Sequence, residues 1–223
     1  MSKNIPIFLV NYQRFQPIQE LVQSLLDRNY DNITIVDNDS TYPPLIEWYM
    51  KLPKPVKFYA VGKNIGPYVL NDIMEFKPYT ATGKPYIWSD GDIVPVPEAP
   101  KDFIEHMVEM VKEHKIPKLG LSLKIDDLPD NFKDKQKVIN HEKAFTTYGK
   151  IDSKYGIIWK APVDTTFAIN MTADCGYNGE AYRMNWPYSA RHMPWYYDSN
   201  NLPPDEKLLR EKKLGWCGHW SSM

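Results

Sequence analysis

The chain has 223 residues, with 27 Lys plus Arg against 28 Asp plus Glu and a formal net charge of −1. That length suits one large domain with room for a cleft, and the near-neutral balance excludes both a basic field that grips nucleic acid by its phosphates and a polybasic membrane patch. The apolar run at 5–10 is too short for a signal-peptide core or an integral membrane segment. With no export signal, the two cysteines, Cys175 and Cys217, read as free thiols of a reducing, cytoplasmic setting.

The elements alternate in the first half. Residues 5–10 read as a buried strand. Ile18, Leu21, Val22, Leu25 and Leu26 share one helical face behind Pro17, which suits a first turn. Residues 33–37 read as a second strand, ending in Asp-Asn-Asp-Ser, a cluster of turn formers. A short helix over 45–50, a strand over 56–61, a helix over 67–76 and a strand over 86–89 follow. Strand and helix at this spacing imply right-handed crossovers and a parallel sheet, with ligands bound beyond the carboxyl ends of the strands. Asn11, Asp37, Asn64 and Asp90 each follow an apolar run, so one rim collects all four.

The second half is less regular. Phe103, Ile104, Met107, Val108 and Val111 mark an amphipathic helix, and 119–123 and 165–170 read as strands. The polar stretch 126–154 shows no strong period. Residues 176–204, rich in Tyr, Trp, Pro and Asn, read as an ordered binding-type loop region, with a short charged helix over 206–213 after it. The expected architecture is α/β: a Rossmann-like, mostly parallel sheet flanked by helices, with a smaller aromatic-rich region. No GxGxxG or GxxxxGK[ST] pattern occurs, which argues against a dinucleotide oxidoreductase or a P-loop NTPase.

The segment that carries chemistry is Tyr86-Ile-Trp-Ser-Asp90-Gly91-Asp92, a strand ending in two carboxylates one residue apart. Hard divalent cations such as Mg²⁺ or Mn²⁺ prefer carboxylate oxygens, and such an ion can bridge two phosphates and stabilise a departing diphosphate. Gly91 is expected to let the chain turn so that both side chains face one point. Asp-Gly is also an ordinary hairpin turn, and the place of this one, after the fourth apolar run, favours the metal reading.

These stretches, in order, resemble the family-2-like glycosyltransferases of the GT-A fold. The first strand with Asn11-Tyr-Gln-Arg14 resembles the family's opening. Ile33-Thr-Ile-Val-Asp37-Asn38-Asp39-Ser40 resembles its I-V-D-N-x-S turn, whose acidic residue commonly contacts the nucleotide base. Lys63-Asn64-Ile-Gly66 resembles the x-N-x-G turn near the donor. Asp90-Gly91-Asp92 resembles the D-x-D metal motif, and Pro162-Val-Asp164-Thr-Thr-Phe resembles a later strand whose acidic residue holds a sugar.

The resemblance implies one GT-A domain over 1–223, with a nucleotide-sugar half at 1–100 and an acceptor half at 101–223. It implies transfer of a sugar from a nucleoside-diphosphate donor, UDP by expectation, to a carbohydrate or glycan hydroxyl, with inversion and with Mn²⁺ or Mg²⁺. Donor contacts would come from Asn11, Arg14, Asp37, Lys63, Asn64, Asp90, Asp164 and Arg191. Metal ligands would be Asp90, Asp92 and His219, the last as a C-terminal imidazole. Trp186, Tyr188, Trp195 and Tyr196 would line the acceptor cleft.

The chain departs from the family in lacking a recognisable Glu-Asp pair at the start of a late helix, where the Asp serves as base. A base must take the acceptor's proton, and His192 and Asp198 are the candidates. Two other readings stand beside this one: a non-catalytic carbohydrate- or nucleotide-binding module, and a sugar-nucleotide nucleotidyltransferase. The latter is disfavoured because Asn11-Tyr-Gln-Arg-Phe lacks the glycines of a phosphate loop.

Overall fold

All five residues of the first strand are buried, so successive side chains must serve two apolar faces. The computed structural model, which describes residues 4–147, 149–171 and 179–212, shows both. Its elements are β1 (Ile7–Asn11), α1 (Gln16–Leu26), β2 (Ile33–Asp37), α2 (Pro43–Tyr49), β3 (Lys57–Ala60), α3 (Lys77–Thr80), β4 (Tyr86–Asp90), β5 (Ile93–Pro95), α4 (Phe103–Glu113), β6 (Lys118–Gly120), β7 (Ser122–Leu123), α5 (Lys135–Ala144), β8 (Lys150–Ser153), β9 (Gly156–Lys160), β10 (Ala168–Asn170), β11 (Tyr182–Met184), β12 (Ser189–His192) and α6 (Pro204–Glu211).

A nine-stranded sheet runs in the order β3-β2-β1-β4-β10-β6-β11-β9-β8. Its first four strands are mutually parallel, and β10 lies antiparallel between β4 and β6. Strand β11 is parallel to β6, and β9 turns back against both β11 and β8. A second sheet, β5-β12-β7, has three strands.

Ile7 and Leu9 of β1 pack with Ile18, Leu21, Val22 and Leu25 of α1 and with Phe103, Ile104 and Met107 of α4. Phe8 and Val10 face the other way, toward Val69, Leu70, Phe76 and Trp88. The helical stripes expected from the sequence are thus the buried faces of α1 and α4. Each such Leu or Ile side chain contributes about 1.5–3 kcal/mol of burial.

Several local expectations differ. The helix expected over 67–76 is broken into two short 3-10 turns, Val69–Asn71 and Met74–Phe76, ahead of α3. Ile73 between them is extended, with φ −99° and ψ 126°, and Phe76 packs edge-on against Phe8 at 4.9 Å. Anchoring that ring on the sheet takes precedence over helical continuity. The stretch 119–123 divides: β6 joins the large sheet and β7 the small one. The aperiodic region 126–154 contains α5, and β8 forms a hairpin with β9. β8 and β9 are mostly exposed or half-buried, which is why no apolar alternation announced them. Among the described residues no helix is long and apolar enough to cross a membrane.

Candidate functional site

The carboxyl ends of β1 and β4 open on a cleft of about 700 Å³. Asp90 closes β4, and its backbone N–H donates to Thr165 O (2.8 Å) while its Oδ2 accepts from Thr165 Oγ1 (2.6 Å). Burial, and next the charge of Asp92, push the Asp90 acid well above the usual carboxylate range. Gly91 follows, and its role differs from the expected sharp turn. A Cβ there would meet Asn11 Oδ1 at 2.7 Å and Ile18 Cδ1 at 3.1 Å. Glycine is required because β1 and α1 approach so closely.

Asp92 is 1% exposed. Its Oδ2 lies 2.7 Å from Arg14 Nη1 and 3.3 Å from His192 Nε2. Burial opposes its ionisation, but Arg14 and then His192 outweigh that and hold the acid below the usual range. Arg14 is also held from the other side, its Nε donating to Glu206 Oε2 (3.1 Å), and Glu206 Oε1 accepts from Arg210 Nε (3.1 Å). Glu206 is fully buried in the first turn of α6. Its neighbour Asp205 accepts from Phe15 N (2.8 Å). An acidic pair does therefore begin a late helix, but it clamps the loop after β1.

The loop after β2 is built on Asp37. This buried carboxylate accepts from Ser40 N (2.8 Å), Ser40 Oγ (2.5 Å) and Tyr49 OH (2.9 Å), and Tyr49 OH in turn accepts from Asn11 Nδ2 (2.8 Å). Asp37 thus underlies the cleft wall, and Asn38 beside it lines the cleft. Asn38 Nδ2 donates to Gly66 O (2.8 Å) and Asn64 Oδ1 accepts from Gly66 N (2.9 Å), so the turns after β2 and β3 are stitched together. Lys63 is exposed and outside the cleft lining.

The opposite wall rests on the segment 162–165, whose carbonyls are tied one after another. Arg183 Nε donates to Pro162 O (2.7 Å), Lys118 Nζ donates to Val163 O (2.6 Å) and Asp164 O (3.0 Å), and Asp90 N holds Thr165 O. Lys118 and Arg183 are buried, and Arg183 Nη1 pairs with buried Glu142 Oε2 at 2.7 Å. This strap presents Asp164, whose Oδ1 accepts from Tyr68 OH (2.7 Å). His192 and Trp195 complete the wall, rings perpendicular at 4.7 Å.

The cleft therefore brings together Asn11, Arg14, Asn64, Asp90, Asp92, Asp164, His192 and Trp195. The other sequence candidates lie elsewhere. Arg191 Nη2 donates to Asp127 Oδ2 (2.6 Å), and Tyr196 OH donates to Asp127 Oδ1 (2.6 Å). Tyr188 is buried against α4, its OH 2.9 Å from His106 Nδ1. Asp198 Oδ1 accepts from Asn200 N (2.8 Å) in a local turn. Trp186 is half-exposed beside a second, smaller cavity. His219 and both cysteines fall outside the described residues.

Cleft residues that the sequence did not single out are Tyr68, His141, Glu142, Thr165 and Arg183. Thr165 was within reach, since it adjoins Asp164 in the strand-like motif. Glu142 and Arg183 gave no signal, because their pairing spans 41 positions.

Asp90 offers a single carboxylate to any cation in the cleft. It is a hard oxygen donor on the cleft wall whose charge is opposed by burial and by Asp92, the condition a cation relieves. Asp92 is engaged by Arg14 and His192, and both of its oxygens are shut off from solvent. Among the described residues no three His, Cys, Asp or Glu side chains gather as a metal cluster.

No protein-family model matches the chain, and no curated protein matches it in sequence. Among the solved structures, 35 chains match in fold. One is GalNAc-T7, crystallised with UDP, GalNAc and Mn²⁺, at a TM-score of 0.52 and 13% sequence identity; the match covers 92% of this chain and 47% of that one. The present chain thus spans about half of that protein's length. The architecture is a GT-A-like fold.

Proposed function

We propose that the chain is a glycosyltransferase of the family-2-like kind that moves a sugar from a nucleoside-diphosphate donor, UDP by preference, to a carbohydrate hydroxyl. The observation that carries this is the Asp90-Gly91-Asp92 turn opening into a 700 Å³ cleft beyond the ends of parallel strands, where ligands bind in such sheets. The nucleotide lies along Asn11, Asn38 and Asn64, from the half at 1–100. Asp164 and Thr165, from the half at 101–223, receive the donor sugar. Asp90 would hold Mn²⁺ or Mg²⁺, with the negative charge of Asp92 behind it. When bound, the ion supplies charge stabilisation to the departing diphosphate.

The remaining work falls to the protein's own groups. Arg14, locked between Asp92 and Glu206, is a fixed positive charge on the cleft wall and needs no reorganisation as negative charge develops. The acceptor oxygen attacks the anomeric carbon as the bond to the diphosphate oxygen breaks, with inversion. His192 receives the acceptor proton. Its Nε2 faces Asp92 at 3.3 Å, on the wall of the cleft. Trp195 fixes the imidazole plane.

Thermal denaturation with UDP and Mn²⁺ tests the reading. At a hundredfold excess over Kd, binding raises stability by about 2.7 kcal/mol. The expected result is a UDP-dependent rise in Tm that needs Mn²⁺ and shrinks in Asp90→Asn. No response to UDP or to any nucleoside diphosphate would refute it.

A further inference from the structure

Behind the wall formed by the Glu142–Arg183 ion pair lies a second cavity of about 270 Å³. Leu123, Glu142, Phe145 and Arg183 line both spaces. The shared wall is well tied: Glu142 and Arg183 are each buried and 2.7 Å apart, the guanidinium lies 4.2 Å over the Phe145 ring, and its Nε donates to Pro162 O. The two spaces adjoin along this wall.

The lining of the second cavity has a defined chemistry. Trp186 is 48% exposed, yet it is held in place by Lys124, whose Nζ lies 4.7 Å from the ring centroid. Lys124 is itself neutralised by Asp126 at 2.6 Å. The hydroxyls of Ser122 and Ser189, 2.6 Å apart, and the amide of Asn185 line the same space, as does Trp159, whose indole Nε1 is buried without a partner. A flat apolar ring beside hydroxyl and amide groups, with Lys124, Asp126, Glu142, Lys143 and Arg183 also on the lining, matches a pyranose, which has one C–H face and a rim of hydroxyls. The cavity is smaller than the range of about 300–1,000 Å³ usual for drug-sized ligands, so it takes a single ring.

Resting on the glycosyltransferase reading, we infer that the second cavity is a remote acceptor subsite and that the acceptor is an oligosaccharide. One sugar places its hydroxyl near His192, and a preceding sugar, reached over the open side of the shared wall, stacks on Trp186.

Calorimetry in the presence of UDP and Mn²⁺ tests this with lactose, maltose, cellobiose and chitobiose against glucose, galactose and N-acetylglucosamine. The expected result is that at least one disaccharide binds tenfold or more tightly than its component monosaccharides. Trp186→Ala, at a half-exposed position, abolishes that advantage, Trp186→Phe retains part of it, and both keep the wild-type UDP response. Disaccharides binding no better than monosaccharides, or an advantage that survives in Trp186→Ala, would overturn the inference. A UDP response without disaccharide preference defeats the subsite alone. Disaccharide preference without any UDP response keeps the saccharide site and defeats the donor reading.

Discussion

The two walls of the cleft are held by different forces. The wall at the ends of β1, β2 and β4 is made of short-range hydrogen bonds within consecutive loops: Asp37 to Ser40, Asn64 to Gly66, Asn11 to Arg14. The facing wall is made of buried charges from distant parts of the chain. Glu142 pairs with Arg183, and Lys118 holds the 163 and 164 carbonyls. On the first wall the exception is Arg14, clamped by Asp92 and Glu206. Local bonds can be replaced singly at modest cost. A buried ion that loses its partner keeps its full desolvation penalty.

The sharpest way to break the contrast is Glu142→Ala, which strands Arg183 beneath the strap. Chemical denaturation is expected to show a loss of about 3–5 kcal/mol, largely recovered in the double variant Glu142→Ala/Arg183→Leu. On the hydrogen-bonded wall, Asp37→Asn turns an acceptor of three hydrogen bonds into a group that must also donate. The expected loss is smaller, about 1–3 kcal/mol, by the same denaturation measurement. Should Asp37→Asn prove the costlier of the two, the contrast between the walls is wrong.

The smallest effect belongs to Asp127, outside the cleft. Partial burial works against its charge, but hydrogen bonds from Tyr196 and Arg191 hold its acid below the ordinary range. A carboxyl depressed in the folded state adds stability that is complete above its unfolded value, about 3.9, and is lost as pH falls through the folded value. Because the site is partly exposed, the contribution stays below ~1 kcal/mol. Tm measured from pH 6 to pH 3 should therefore fall slightly more steeply in wild type than in Asp127→Asn.

The same contrast explains what the sequence made legible. The parallel half was readable because each strand and helix stripe repeats locally, and polar residues that end apolar runs land at the sheet's carboxyl edge. Asn11, Asn64 and Asp90 are legible that way and line the cleft. Asp37 occupies the expected turn, yet its carboxylate faces the interior; a motif fixes position along the chain and leaves side-chain direction to packing with Tyr49. Aromatic residue type alone did not separate Tyr188, packed on α4, from Trp186 at the second cavity. The late segment 206–213 reads only as a short charged helix, because nothing local marks Asp205 and Glu206 as buried partners of Phe15 and Arg14.

The central claim is that Asp90 serves donor chemistry and not the fold. Release of UDP from UDP-sugars in the presence of Mn²⁺, measured for wild type and Asp90→Asn alongside their Tm values, tests it most directly. Wild type is expected to turn over. Asp90→Asn should be slower by about a hundredfold, ~2.7 kcal/mol in barrier, with Tm unchanged or higher because a disfavoured buried charge is gone. An Asp90→Asn protein that releases UDP at the wild-type rate, or one whose rate falls only because it unfolds, would contradict the account.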